Sequence, residues 1–312
     1  MTLKLDRDQL AAELGTLDHL LATLPTNDFA GRIGLESRRT RIREQLEALS
    51  THEERKAKIA LYFGGDPVIG SLGVEANFGT NAIGSFQDLI SKVWSVQIAG
   101  DLQSMGPVSH REASRLHITN LVHGSFGFLL EELDDQGEPF FQSQLSKAAD
   151  QVADYVASFA SENEAIFAQA IEDLNPRVFQ SIKDFFGFMH KGQATFRMVE
   201  GERDVKFDRY AVERAWSRAE ASKVDEEHIQ VEGRLLGVIP MRRRFEFEPD
   251  GESHIIEGKV DEKFGQTYLE KINTEQFSGR RWKALLHKRI VVRVGRLPTE
   301  RYTLLELVEI TT

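Results

Sequence analysis

The sequence predicts an α+β protein made of an N-terminal helical hairpin, a central antiparallel sheet with covering helices, and a C-terminal small β-barrel-like module. Three observations carry this reading. Leu10, Leu14, Leu17, Leu21 and Leu24 recur at three- and four-residue spacing, the signature of one helical face. Short apolar runs bounded by turn residues recur through the middle of the chain, with longer helical segments between them. In the last third, the runs 229–240 and 244–251 alternate apolar and polar residues on either side of a turn, the pattern of paired strands.

Taken in order, the first helix is expected from Asp6 to Leu24 and ends at Pro25-Thr26-Asn27-Asp28. A more polar helix follows from about Leu35 to Lys58, with Leu35, Ile42, Leu46 and Leu49 on a narrow stripe. Such a hairpin buries little surface by itself, so it either packs on the body or pairs with another copy of the chain. Ile59 to Phe63 reads as a strand and runs into the glycine-rich loop Gly64 to Gly73. Val74 to Phe78 is expected to resume an extended course before a helix from Asn81 to Val96. A hairpin from Leu116 to Leu133, turning at His123-Gly124-Ser125, completes one antiparallel sheet. Three helical segments between Phe140 and His190 cover one face of it, with Pro176 suited to the first turn of the last. Thr195 to Val199 and Val205 to Phe207 form another hairpin. Arg209 to Ser222 is a charged helix with Ala211, Ala215 and Ala219 four apart; it reads as an interdomain linker, and Asp225-Glu226-Glu227 as the boundary. The expected division is 1–58, 59–224 and 225–312.

Composition narrows the class. A length of 312 residues fits two domains with a helical extension, and 20 Phe supply large apolar anchors. The absence of cysteine removes disulfides, thiolate nucleophiles and every cysteine-based metal site. The first residues alternate apolar and charged side chains, and no run approaches the roughly 18 apolar residues of a membrane span. A soluble, cytoplasmic protein without a membrane partner is expected. No solenoid repeat or low-complexity tract occurs.

The charge is unevenly distributed. The chain carries a net −10, yet from His228 to Thr312 there are 15 Lys/Arg against 13 Asp/Glu, a net of +2 that leaves −12 to the first 227 residues. Within the cationic third, Arg280, Arg281, Lys283, Lys288, Arg289, Arg293, Arg296 and Arg301 form a strip interleaved with Trp282 and His287, and Arg242-Arg243-Arg244 extends it or protects a strand edge. Cations beside an exposed aromatic are the equipment for phosphate contact and base stacking. The same run also fits a surface neutralised by the acidic first part of the chain. The strand content of the module resembles an oligonucleotide-binding-type barrel, a likeness of fold that does not assign function.

Other constellations have ordinary explanations. The glycine-rich loop lacks both dinucleotide and P-loop spacing, and positive φ accounts for its glycines; Asp66, Ser71 and Asn77 are its candidate ligand contacts. His110, His117 and His123 do not converge, because His117 and His123 lie about 20 Å apart along an extended strand, so no metal site is assigned. Ser125 misses the nucleophile-elbow spacing. Asp250, Glu257 and Lys259 echo metal-dependent nucleases, in which carboxylates hold Mg²⁺ and a lysine positions water, although Pro249-Asp250-Gly251 also makes an ordinary turn. The leading expectation is a non-catalytic binding or scaffold protein without a cofactor. It would self-associate in part through its hairpin and engage a protein partner or nucleic acid through Arg280, Arg281, Trp282, Lys283, Lys288, Arg289, Arg293 and Arg296. The alternatives are a Mg²⁺-dependent nuclease or phosphoesterase and a sensor of small anionic ligands.

Overall fold

A computed structural model of the chain describes residues 2–25, 28–50, 56–99, 111–122, 126–133, 142–239, 242–251, 254–261, 264–265 and 279–310. They form two compact units. The first comprises Met1–Phe167 with Gln180–Arg218, the second Ala168–Phe179 with Ala219–Thr312.

The first unit opens with the predicted hairpin, α1 (Leu3–Thr23) and α2 (Phe29–Ser50). Leu17 and Ile42 are buried between the two helices, as the leucine stripe requires. The first turn of α1 lies on the sheet. Leu5 packs against the buried cluster of Ala60, Tyr62, Val122, Leu129 and Val199, and Arg7 reaches Glu202 at 2.6 Å, so the hairpin packs on its own body.

The sheet has the order β4-β5-β1-β6-β7, from β1 (Lys58–Gly65), β4 (His117–Val122), β5 (Phe126–Glu131), β6 (Ala194–Glu200) and β7 (Arg203–Phe207). Every neighbouring pair is antiparallel. A two-residue pair, β2 (Val68–Ile69) and β3 (Gly73–Val74), stands in the glycine-rich loop. The covering helices are α3 (Ala76–Ala99), α4 (Gln144–Ala160), α5 (Glu164–Glu172) and α6 (Pro176–Lys191); α7 (Arg209–Glu220) follows β7. The expected extended course at Val74 to Phe78 is corrected: α3 begins at Ala76. Phe78 already starts the helical series of Phe78, Ala82, Phe86, Leu89, Ile90 and Val93, all buried. Pro176 opens α6, and Asn175 Oδ1 accepts from Arg177 N–H at 2.9 Å to cap it. Phenylalanines join this helical layer to the sheet: Phe185 lies edge-on to Phe196 at 5.2 Å, and Phe196 stacks on Phe207 at 4.2 Å.

The second unit is a closed barrel of β8 (Ser222–Ile239), β9 (Arg244–Pro249), β10 (Ile256–Val260), β11 (Arg281–Arg293) and β12 (Thr299–Glu309), ordered β10-β12-β11-β8-β9. Alternating directions cannot close a ring of five, so one neighbouring pair must run parallel. That pair is β10 and β12; the other four are antiparallel. The closure depends on Gly258, where a Cβ would run into the Tyr302 carbonyl oxygen and lie 2.7 Å from Phe245 Cε1. Leu235, Phe245, Phe247, Ile256, Val260, Trp282, Ala284, Leu286 and Leu304 fill the interior. The five strands make the small β-barrel-like module expected for the last third of the chain. The acidic run Asp225-Glu226-Glu227 lies inside β8, whose pairing with β11 begins at Ser222.

Candidate anion-binding cleft

The long partner strand β11 carries most of the cationic strip, and the register determines which acids it meets. Glu226 stands opposite Arg289 and Glu227 opposite Lys288. Arg289 Nε donates to Glu226 Oε1 at 2.6 Å, and His287 Nε2 lies 3.4 Å from the other carboxylate oxygen. Burial pushes the Glu226 carboxyl up, but the His287 hydrogen bond and the Arg289 guanidinium outweigh it and hold the group below its usual range. Lys288 meets Glu300 at 2.8 Å and lies over the Tyr302 ring. The Lys288 bond, with one from Tyr302, holds Glu300 low. Burial, and then the bond it donates to Glu300, push the Tyr302 phenol up to about 12.

The rest of the strip is largely neutralised as well. Arg280 pairs with Glu309 at 3.2 Å, and Arg281 pairs with Asp250. Arg293 buries its Nε, while Arg296 is exposed in the turn after β11 and Lys283 is half-buried. Most of these acids belong to the barrel's own strands and turns, whereas Arg301 is held by Glu172 of α5, an acid of the first part of the chain. The expectation for Trp282 is corrected. At 6% exposure it packs in the barrel core and presents no face for base stacking.

A cleft of about 550 Å³ opens on the outer surface of the barrel. Arg244 of β9, Glu257 and Lys259 of β10, His287 and Arg289 of β11, and Glu300, Arg301, Tyr302 and Thr303 of β12 line it, together with Arg242 and Asp173. Five cationic side chains thus face three carboxylates. Three of the five are engaged: Arg289 by Glu226, Arg301 by Glu172, and Lys259 by Asp173 at 3.1 Å. The last pair is about two-thirds exposed at both ends, so a ligand anion could exchange with Asp173 at little cost. Arg242 and Arg244 are exposed and make no ion pair with any described residue. Such a cleft has the size of a small-ligand site and the charge of a phosphate site.

No family model, curated protein or solved structure matches the chain. The geometry is therefore the whole basis for the functional reading.

Of the residues that echo a nuclease, the structure brings Glu257 and Lys259 into the cleft, while Asp250 is held by Arg281 and does not line it. Among the described residues no cluster of three or more His, Asp or Glu side chains is arranged to hold a metal ion. His117 is exposed on β4; His110, His123 and Ser125 lie outside the described residues. In the glycine-rich loop Asp66 pairs with Arg209 at 2.5 Å, and Ser71 and Asn77 are exposed. Gly65 adopts φ +87 there, and a Cβ would lie 2.9 Å from Ala194 Cα, which accounts for glycine without a ligand. No helix of the described residues is long and apolar enough to cross a membrane.

One constellation has no sequence motif. Lys92 Nζ lies 2.6 Å from Ser181 Oγ and 2.7 Å from Asp88 Oδ2, and Arg111 also reaches Asp88 at 3.2 Å. A lysine beside a serine is a nucleophile-and-base pairing in principle. Here Asp88 occupies the ammonium and Ser181 is 3% exposed, so the group clasps α3 to α6.

Proposed function

We propose that the protein is a non-catalytic binding protein whose barrel engages nucleic acid through the cleft. The observation that carries this reading is the pair Arg242 and Arg244, exposed and without ion-pair partners among the described residues, beside three further cations. Guanidinium groups that lack a protein counter-ion gain most from a phosphate, because no existing pair must be broken first. This moves the binding surface from the sequence strip, whose charges are mostly compensated, to the neighbouring cleft. The chain's net −10 opposes long-range attraction, so contact depends on this local cation excess. The exposed Phe29 (72%) and Ile33 (69%) at the start of α2 support a role for the hairpin in contacts with another protein or copy.

The test is binding of the full chain to labelled oligonucleotides across a salt series, comparing wild type with Arg242→Gln/Arg244→Gln and Arg280→Gln/Arg281→Gln. Loss of two phosphate contacts in the cleft variant should make the salt slope shallower by about 1.4 for a single strand, while the strip variant stays close to wild type. Equal losses in both variants would return the function to the strip. An unchanged cleft variant would refute the reading.

A further inference from the structure

We infer that Glu172 and Asp173 are internal counter-ions of the cleft, and that the phosphates of a bound strand displace them to take Arg301 and Lys259 as further contacts. The inference rests on the reading of the cleft as a nucleic-acid site and adds to it the acids that set its affinity. Both acids lie in the stretch Ala168–Phe179, which belongs to the same compact unit as the barrel. Glu172 ends α5, and Asp173 follows in the turn towards α6. Arg301 donates to Glu172 Oε2, and Lys259 Nζ donates to Asp173 Oδ1 at 3.1 Å. Neither acid is part of the barrel's own strands, so both reach the cleft from outside its sheet.

Their backbone is fixed while their side chains are not. Ile171 and Leu174, which flank them, are buried at 0% and 1%, and Asn175 Oδ1 caps the helix that follows. The Asp173 side chain is 67% exposed and that of Glu172 26%, so water reaches both pairs. Rotation of the two side chains therefore frees the cations without moving the chain, and pairs that water reaches hold their partners by no more than about a fivefold factor each. Charge balance makes that factor matter. Asp173, Glu257 and Glu300 line the cleft, and Glu172 and Glu226 pair with its arginines; these five carboxylates equal its five cations, so its described side chains offer a strand no net positive charge. Neutralising the two outside acids leaves an excess of two cations. Exchange of a carboxylate for a phosphate at one cation also releases little salt, so in the wild type these two contacts add little to the salt slope, which comes from Arg242 and Arg244.

The experiment measures anisotropy of a labelled single-stranded oligothymidylate with the full chain across a salt series. Glu172→Gln/Asp173→Asn should tighten binding at least about threefold at low salt. It should also steepen the salt slope by about 1.4, for two further phosphates at about 0.7 each. Damaged folding cannot imitate such a gain. Asp173→Asn alone should tighten binding through Lys259, so its gain should vanish in a Lys259→Gln background. Glu257→Gln removes a carboxylate from the same cleft without releasing a described cation, so its gain should persist in that background. No tightening in the double variant, tightening at an unchanged slope, or an Asp173→Asn gain that survives Lys259→Gln overturns the inference. If Arg242→Gln/Arg244→Gln still weakens wild type in that case, the cleft reading stands without it. If neither wild type nor Glu172→Gln/Asp173→Asn binds the strand, both readings fall together.

Discussion

Replacing Glu226 by Ala should destabilise the barrel by about 3 kcal/mol, at the low end of the range for breaking a buried ion pair. The estimate follows from the geometry. The Glu226 side chain is 9% exposed and Arg289 17%, so both charges are largely shielded from water. Removing the carboxylate leaves Arg289 without its described counter-ion, near His287 on its own strand and opposite Arg301 across the sheet. Water reaching the arginine keeps the cost from the upper end. Trp282 is a local probe, because it lies in the barrel core and the other two tryptophans can be replaced by Phe. Urea unfolding followed by its emission, for Glu226→Ala, Arg289→Ala and the double variant, gives the coupling energy. It should exceed about 1.5 kcal/mol. The exposed Arg280–Glu309 pair, 50% and 60% exposed, should give less than about 0.5 kcal/mol in the same assay. The penalty should also depend on pH. The folded carboxyl lies below its ordinary 4.5, so its contribution is whole above that value and disappears as pH falls through the lower folded one. Wild type and Glu226→Ala should therefore converge in acid. A Glu226–Arg289 coupling no larger than that of Arg280–Glu309 would refute the reasoning.

Gly258→Ala should cost about 3 kcal/mol or more and destroy the barrel's cooperative transition, since the new methyl meets backbone at the parallel β10–β12 closure; retention of wild-type stability would show that the strands can part. Tyr302, with its phenol near 12, should be a late titrant in ultraviolet absorbance, and Tyr302→Phe should remove that phase. Because the folded value is raised from 10.0, the stability it supplies is complete below pH 10 and lost as pH rises towards 12. Phe196→Ala, at the junction of α6, β6 and β7, should cost about 3 to 5 kcal/mol in thermal or urea unfolding. Phe29→Ser should change stability by less than about 0.5 kcal/mol, as expected for a side chain 72% exposed.

Local periodicity made most of the fold legible. The leucine stripe, the alternation in Ile59 to Phe63 and the proline at 176 each report a contact within a few residues, and each element forms where those signals lie. The start of α3 was misread because Val74 to Phe78 is short enough to fit either period; the buried series from Phe78 to Val93 decides it only once its far end is counted. That the last third makes a small β-barrel-like module was legible, but its five-strand count and parallel closure were not. That closure depends on an odd number of strands forming a ring, a property of the whole module.

The site was less legible because a charge acquires its meaning from register. Along the chain, Arg280 to Arg301 reads as a cationic strip and Asp225 to Glu227 as an acidic boundary more than fifty residues away. In the barrel these stand on two paired strands, where Glu226 meets Arg289 and Glu227 lies opposite Lys288. Trp282 shows the same limit. Its neighbours are charged, but its parity with Ala284 and Leu286 points it inward. Arg242 and Arg244 are fewer and less conspicuous in sequence, yet they are exposed without a described counter-ion. The surface that can bind an anion is therefore found by subtracting the cations the fold already neutralises. For this barrel, that subtraction leaves Arg242 and Arg244 among the described residues of the cleft.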